Sequence, residues 1–421
     1  MKKVIIILIV ILSLFFLSFL NFKEKEEKVN KNISVILETE EGNIKSNTFP
    51  NKNDYEYLNT KCENISSNIN SFFNEETWKL NISVEEESID GKFNCMVYFK
   101  EKNKLATKII TDKYNETNSE GLIKLEQPST VQTPALTEYR YTGVSTGVKN
   151  YVRFNNELWR IIGVFKVDNG TGTYEERLKI IRDESIGVYS WDTSASSINS
   201  GYGINQWDES GSYNGADLMR LLNPGYESES VNNSLYWNRD SGECYYSHIS
   251  YDYHISPCDF SDTGLTSDAK GMIEDAKWYT AAIGYDITSS EAYKEERGSN
   301  FGIADIGTKV TKTTSWVGKV GLMNLSDYGY SSKNCYQNYS IYEYNQEDCT
   351  SSSWLLYTDH EWTINPAAEL YSRIIFINKN GSAVRNNGHY HDIVRPVVFL
   401  KSDIKIVSGS GLKEDPYVVS L

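Results

Sequence analysis

At 421 residues the chain is long enough for two or three domains. It carries 57 acidic against 42 basic residues, a formal net charge of −15. That balance disfavours nucleic acid and anionic membrane surfaces, which both select clustered Lys and Arg. Aromatics make up 13% of residues, with 30 Tyr and 9 Trp, which fits a folded, β-rich protein with a wet aromatic surface and not a disordered chain.

The N-terminus reads MKKVIIILIVILSLFFLSFLNF. Val4 to Leu20 is 17 residues without a charge, at the lower limit for a bilayer span. Lys2 and Lys3 precede the run, which puts the N-terminus in the cytoplasm and everything from about residue 23 outside the cell. No A-x-A-like cleavage site ends the run. Residues 1–22 are therefore expected to be an uncleaved transmembrane helix, making a single-pass membrane protein. If the segment is instead a cleaved signal, the product is secreted. The mixed-charge residues 23–32 form a solvated stalk.

Six cysteines fit an oxidising compartment. Cys244 with Cys258 and Cys335 with Cys349 are two pairs of equal spacing. Cys62 and Cys95 fall inside one N-terminal segment, so these three disulfides are expected. The absence of C-x-x-C argues against structural zinc.

From 33 to 102, short alternating segments such as WKLNISV and CMVYFK, separated by turn-type residues, read as strands of a small all-β domain. Such a domain needs its one disulfide to supplement a small core. Residues 103–138, with EQPSTVQTPAL, read as a linker. From 139 to 421 the pattern is α+β. NYVRFNNELWRIIGVFKV and ERLKIIRD are strand runs. GADLMRLLNPG is a helix with Ala216, Met219 and Leu222 on one face, stopped by Pro224-Gly225. A second helix is expected over SDAKGMIEDAKWYTAAIG, capped by Ser267, with Met272, Ile273, Ala276 and Tyr279 as its stripe. RIIFIN, Arg373 to Asn378, reads as a strand buried on both faces.

Two resemblances follow from these residues. Phe-Pro, then Tyr, Cys, Trp-x-Leu-x-Ile and Cys-x-Val-Tyr-Phe resemble a small β-sandwich spacer of bacterial surface proteins. NNELWRIIG, LMRLLN, GKVGLMNLSDYGY, WLLYTDHEWT, VRPVVFL and the ending SGSGLKEDPYVVSL resemble an uncharacterised family of exported surface proteins of low-GC Gram-positive gut bacteria. That family in turn looks like the C-type-lectin-like fold, as formylglycine-generating-type and phage-tip variable proteins use it. There an arginine-proline pair opens the last core strand, as Arg395-Pro396 does here. The oxidase chemistry of the formylglycine-generating enzymes does not carry over, because this chain lacks their closely spaced copper-binding cysteine pair.

Standard catalytic patterns are missing: no H-E-x-x-H, no G-x-S-x-G and no P-loop. His389 and His391 are two apart, so on a strand they would share a side and a metal, with Asp392 and Asp359 as the nearest carboxylates. The bland alternative, which the sequence favours, is an exposed tip with two ordinary histidines. WDTSASSINSGYGINQWDES offers Asp192, Asp208 and Glu209 to calcium, without EF-hand order. Trp159, Trp278 and Trp316 read as core. Trp191, Trp207 and Trp237 sit in Gly/Ser/Asn-rich loops, where they either stack on sugars or, as favoured here, anchor the loops by burial.

The expected function is a membrane-anchored, adhesin- or lectin-like binding protein that recognises a glycan or protein through the C-terminal domain. An exported enzyme acting on carbohydrate or peptide and a structural surface component are the alternatives. The lectin-like resemblance puts the ligand face between the late tryptophan and the Arg-Pro strand. The recognition residues expected there are Arg385, Asn387, Tyr390, His389 and His391, with Tyr357 and His360. Arg385 and Tyr390 are the leading anchors, because hot spots favour Arg and Tyr. No resident cofactor is expected, with calcium the one ion the acidic loops suit.

Overall fold

In a computed structural model of the full chain, the residues described are 6–7, 31–39, 42–52, 55–64, 69–84, 93–101, 105–115, 121–193, 206–208, 215–249, 252–299, 301–303, 309–311, 314–368 and 373–421. The chain divides into two compact units, Met1–Lys104 and Leu105–Leu421. Both are dominated by β-sheet, and among the described residues the helices, all short, lie in the second.

The first unit holds β1 (Lys31–Thr39), β2 (Gly42–Ser46), β3 (Tyr55–Asn64), β4 (Ile69–Asn74), β5 (Lys79–Val84) and β6 (Phe93–Glu101). One sheet runs β2-β1-β6-β3, and β4 pairs with β5 in another. Val35, Phe73, Leu80, Ile82, Val97 and Phe99 come from both sheets and meet in one core, so the unit is a small sandwich. Cys62 and Cys95 lie opposite each other on β3 and β6 and are bonded, their Cα atoms 4.0 Å apart. Of the apolar run Val4–Leu20 only Ile6 and Ile7 are described, as a two-residue strand beside β5. The rest of the expected membrane helix falls outside the described residues. No described helix is long and apolar enough to cross a membrane.

The second unit begins earlier than its sequence texture suggests. The segment 103–138, expected as a linker, contains α1 (Ala106–Tyr114), β7 (Leu122–Gln127) and the start of β8 (Leu136–Tyr141). Ala106 and Ile110 are fully buried, and β7 pairs along its length with β8. The Pro/Thr/Ser piece is a turn between paired strands. Gln132 at that turn donates to the carbonyls of Gly298 and Thr314.

β9 (Tyr151–Phe154) and β10 (Glu157–Asp168) form a hairpin whose two turn residues, Asn155 and Asn156, have φ of 56° and 62°. Asparagine tolerates that left-handed backbone, and such a turn matches the twist of the strands. β11 (Tyr174–Arg182) follows. With β7 and β8 these strands belong to a nine-stranded sheet. Its main path runs from β17 (Val320–Gly321) through β22 (Val397–Phe399), β11, β10, β9 and β24 (Tyr417–Ser420) to β23 (Lys405–Ser408). Gly163 marks a bulge in β10, and a Cβ there would meet the Tyr139 carbonyl oxygen at 2.1 Å. Only glycine lets β8 approach so closely.

α2 (Asp217–Leu222) is the expected helix, with Ala216, Met219 and Leu222 fully buried. The second expected helix is cut short. α4 (Ser267–Met272) is capped by Thr266, one residue before the expected Ser267, and Ala276–Tyr279 is a strand, β15. β15 pairs with β16 (Ser315–Gly318), so Trp278 lies opposite Trp316. Pairing and indole burial override the helical spacing of Met272, Ile273, Ala276 and Tyr279. Short helices α3 (Leu235–Asn238), α5 (Ser289–Glu296) and α6 (Leu325–Ser331) complete that layer.

A second, five-stranded sheet has the order β12 (Val188–Ser190), β21 (His391–Ile393), β18 (Glu361–Pro366), β19 (Arg373–Ile377), β20 (Ala383–Asn387). Ile374 to Ile377 are all buried, as the unbroken apolar run predicts. The hairpin β13 (Ser241–Ile249) and β14 (Asp252–Asp259) is closed by Cys244–Cys258. Cys335–Cys349 forms the third expected bridge. Trp159, Trp191, Trp207 and Trp278 are at most 1% exposed, so the loop tryptophans at 191 and 207 are anchors and present no face to a ligand.

Candidate functional site

The sequence points to the tip from Lys379 to Asp392, and the structure divides it. The half nearest β21 is held by backbone. Gly388 accepts hydrogen bonds from the N–H groups of Trp191 (2.8 Å) and Asp192 (3.0 Å), and Ser190 Oγ donates to the carbonyl of His389 (3.0 Å). The Trp191 indole donates in turn to the Thr363 carbonyl (3.0 Å) and that of Trp362 to the Tyr189 carbonyl (3.0 Å). Tip, β12 and β18 are thus tied at several points, which leaves little conformational entropy to lose on binding.

At this end the rings gather. His391 is exposed and stacks on Tyr246 of β13, with ring centres 5.0 Å apart and planes within 15°. His389 lies against Tyr390, centres 4.7 Å apart. Tyr246 and Tyr390 are 37% and 42% exposed. Beside Tyr246 a groove of about 260 Å³ runs between β12 and the β13–β14 hairpin, lined by Gly187, Val188, Tyr189, Cys244, Tyr246, Ser256 and Pro257. Gly187 has φ of +126°, and a Cβ there would sit 3.0 Å from the Tyr189 ring. A glycine is needed for the tyrosine to lie along this wall. Burial pushes the Tyr189 phenol up to about 12, so it stays a neutral donor at any physiological pH.

The other expected residues are elsewhere. Arg385, on the edge strand β20, lays its guanidinium over the Tyr285 ring at 4.4 Å, and Tyr285 packs edge-on against Tyr342. Asn387 supports the tip turn through its carbonyl, which accepts from the Tyr390 N–H. Tyr357 is a strut: its hydroxyl donates to Glu184 (2.8 Å), and its ring lies 4.8 Å from the Arg395 guanidinium. Burial and that bond raise its pKa. Arg395 makes a two-pronged bond to Glu361 (2.8 and 2.7 Å) and a third to the Leu355 carbonyl (2.8 Å), all buried. The Arg-Pro pair is therefore core.

His360 lies behind the tip, its Nδ1 3.8 Å from Asp392 Oδ1, beyond hydrogen-bond reach. Asp392 is 7% exposed, and burial, with Asp359 adding its charge, pushes its carboxyl up to about 7. The His389 and His391 rings pair with Tyr390 and Tyr246, and no group of three His, Cys, Asp or Glu among the described residues is placed to hold a metal. Of the calcium candidates, Asp192 is buried and Glu209 lies outside the described residues.

A second polar cluster is closed off. Arg140 bonds Glu138 (2.9 Å) and Asp327 (2.9 Å), and Lys179 bonds Asp327 (2.5 Å) and Asn324 (2.9 Å). Glu296 and Arg297 pair alongside. The cavity beside Lys179 and Arg297 is about 20 Å³, room for a single water. Three cations face three carboxylates, which is the balance of a structural network.

Sequence reasoning missed Tyr246, Tyr189 and the hairpin wall. The one available signal was the run CYYSHISYDYH, whose tyrosines flank a disulfide half. Comparison with family models, curated proteins and solved structures finds no match for this chain.

Proposed function

We propose that this chain is an extracellular binding protein, held at the membrane by its N-terminal apolar segment, whose second unit recognises a glycan or a protein ligand. The observation that carries the reading is the exposed Tyr246–His391 stack beside the groove walled by Tyr189, with Tyr390 exposed on the same tip. Aromatic faces over a groove suit flat apolar faces of a ligand, such as those of a sugar ring, while His389, Ser256 and the tip amides supply adaptable hydrogen bonds. The site is built before any ligand arrives, since backbone bonds fix the tip.

In this reading the second unit is a variant of the C-type-lectin-like fold. Supporting this, Arg395-Pro396 leads directly into β22, a buried strand of the nine-stranded sheet. The first unit is a spacer, a role that fits its small disulfide-bonded sandwich. A glycan array probed with the full chain in mild detergent, with and without calcium, tests the function. Saturable binding without product release supports it. Release of cleaved product from an array glycan would replace it with the hydrolase reading.

A further inference from the structure

We propose that Asp392 is a protonation-controlled latch on the groove wall, holding β12 in place when neutral and loosening it when ionised. The idea rests on the binding reading above only for its purpose, since β12 carries Val188 and Tyr189 of the groove.

The geometry starts from strand order. Among the described residues β12 is the edge of its sheet and pairs with β21, through Val188–Ile393, Tyr189–Asp392 and Ser190–His391. That register is three residues long, and the wall is tied on either side of it by the Ile186–Val394 and Gly187–Val394 backbone bonds and by the Trp362 indole on the Tyr189 carbonyl. The residue at the middle of that register on β21 is the aspartate. Its carboxyl is 8% exposed, and Oδ2 has no hydrogen-bond partner among the described residues.

Among the described residues no cation bonds it, and the nearest is the His360 imidazole, with Nδ1 3.8 Å from Oδ1. From β12 comes the neutral Tyr189 phenol. From β18 and the turn before it come Asp359, a like charge, His360, whose Nδ1 is too distant to bond, and Glu361, which spends both oxygens on Arg395. From β13 come Glu243, Tyr245 and Tyr246, the first exposed. On β21 itself His391 lies exposed against Tyr246.

A neutral carboxylic acid is tolerable there, whereas a carboxylate is not, because a buried charge needs a partner or water. Water can reach the carboxylate if the pairing at Tyr189–Asp392 parts. The sign follows from burial raising the folded-state value to about 7, above an ordinary aspartate. The folded state holds the proton more tightly than the unfolded chain. The contribution is therefore whole in acid and is lost as pH climbs through about 7.

Hydrogen exchange followed by mass spectrometry on the full chain in detergent, without ligand, tests this at pH 6 and pH 8.5, after correction for intrinsic exchange. In the wild type, protection of the segment 186–192 should fall by about tenfold or more at the higher pH relative to 158–167 in the main sheet. In Asp392→Asn it should hold at both. An equal fall in Asp392→Asn, or no fall in the wild type, overturns the latch. Should that variant not fold, Asp359→Asn decides. Removing the exposed like charge should move the wild-type midpoint to lower pH, and an unmoved midpoint overturns the proposal. Because no ligand is present, failure here leaves the binding reading standing, and an inert glycan array leaves the latch standing.

Discussion

Replacing Arg395 with methionine isolates the pair that locks the second sheet to the loop before it. Arg395 and Glu361 are 4% and 1% exposed, with two charge-assisted bonds between them and a third from Arg395 to the Leu355 carbonyl. Methionine approximates the volume of the stem and removes the charge. Glu361 is then left buried and unpaired, a condition that costs about 3–5 kcal/mol. At roughly 2–4 °C per kcal/mol for a large domain, the melting point should drop by roughly 6–20 °C. Tryptophan fluorescence reports the right unit, because all but Trp78 of the nine tryptophans lie in Leu105–Leu421. Burial already raises the Glu361 pKa against the pull of Arg395. Loss of the arginine raises it further, so the deficit should shrink as pH falls and the carboxyl takes a proton. Arg395→Met with Glu361→Leu should recover most of the loss, since no orphan charge remains. A single variant within 1 kcal/mol of wild type, or a double variant worse than the single, would refute this reasoning.

Three further outcomes are expected. Non-reducing peptide mapping should recover Cys62–Cys95, Cys244–Cys258 and Cys335–Cys349, and serine at 244 and 258 together should cost about 3 kcal/mol by freeing the hairpin loop. Gly187→Ala should lower stability by about 1–3 kcal/mol, because its φ of +126° strains a side chain and the new methyl meets the Tyr189 ring; a neutral melt would argue that the tyrosine is not held there. The chain should stay in the membrane fraction after carbonate washing, and a soluble product beginning near residues 21–25 would show cleavage instead.

Local patterns made part of this fold legible. LMRLL at helical spacing and RIIFI without polar breaks state their burial outright, and both are buried as read. Cysteine spacing carried the disulfides, because two pairs close short loops and the third stays within one domain. What stayed hidden depends on partners distant in sequence. Ala276–Tyr279 satisfies a helical stripe equally well, and only pairing with Ser315–Gly318 makes it a strand. The Thr/Pro segment after Gln127 looks like a linker until Gln132 finds carbonyls at 298 and 314. The site shows the same limit. His389, Tyr390 and His391 were readable as a polar aromatic tip, but Tyr246 arrives from a hairpin far along the chain, and Arg385 turns away to Tyr285.

Binding by a Tyr246→Ala, Tyr390→Ala double variant tests the ligand surface most directly, using whichever array glycan gives saturable binding to the wild type. Both rings are more than a third exposed, so the melting point should move by no more than about 2 °C. Each ring should contribute about 1–3 kcal/mol, so affinity should fall by roughly 30-fold or more. Undiminished affinity in a variant that melts like wild type would contradict the groove as the ligand site.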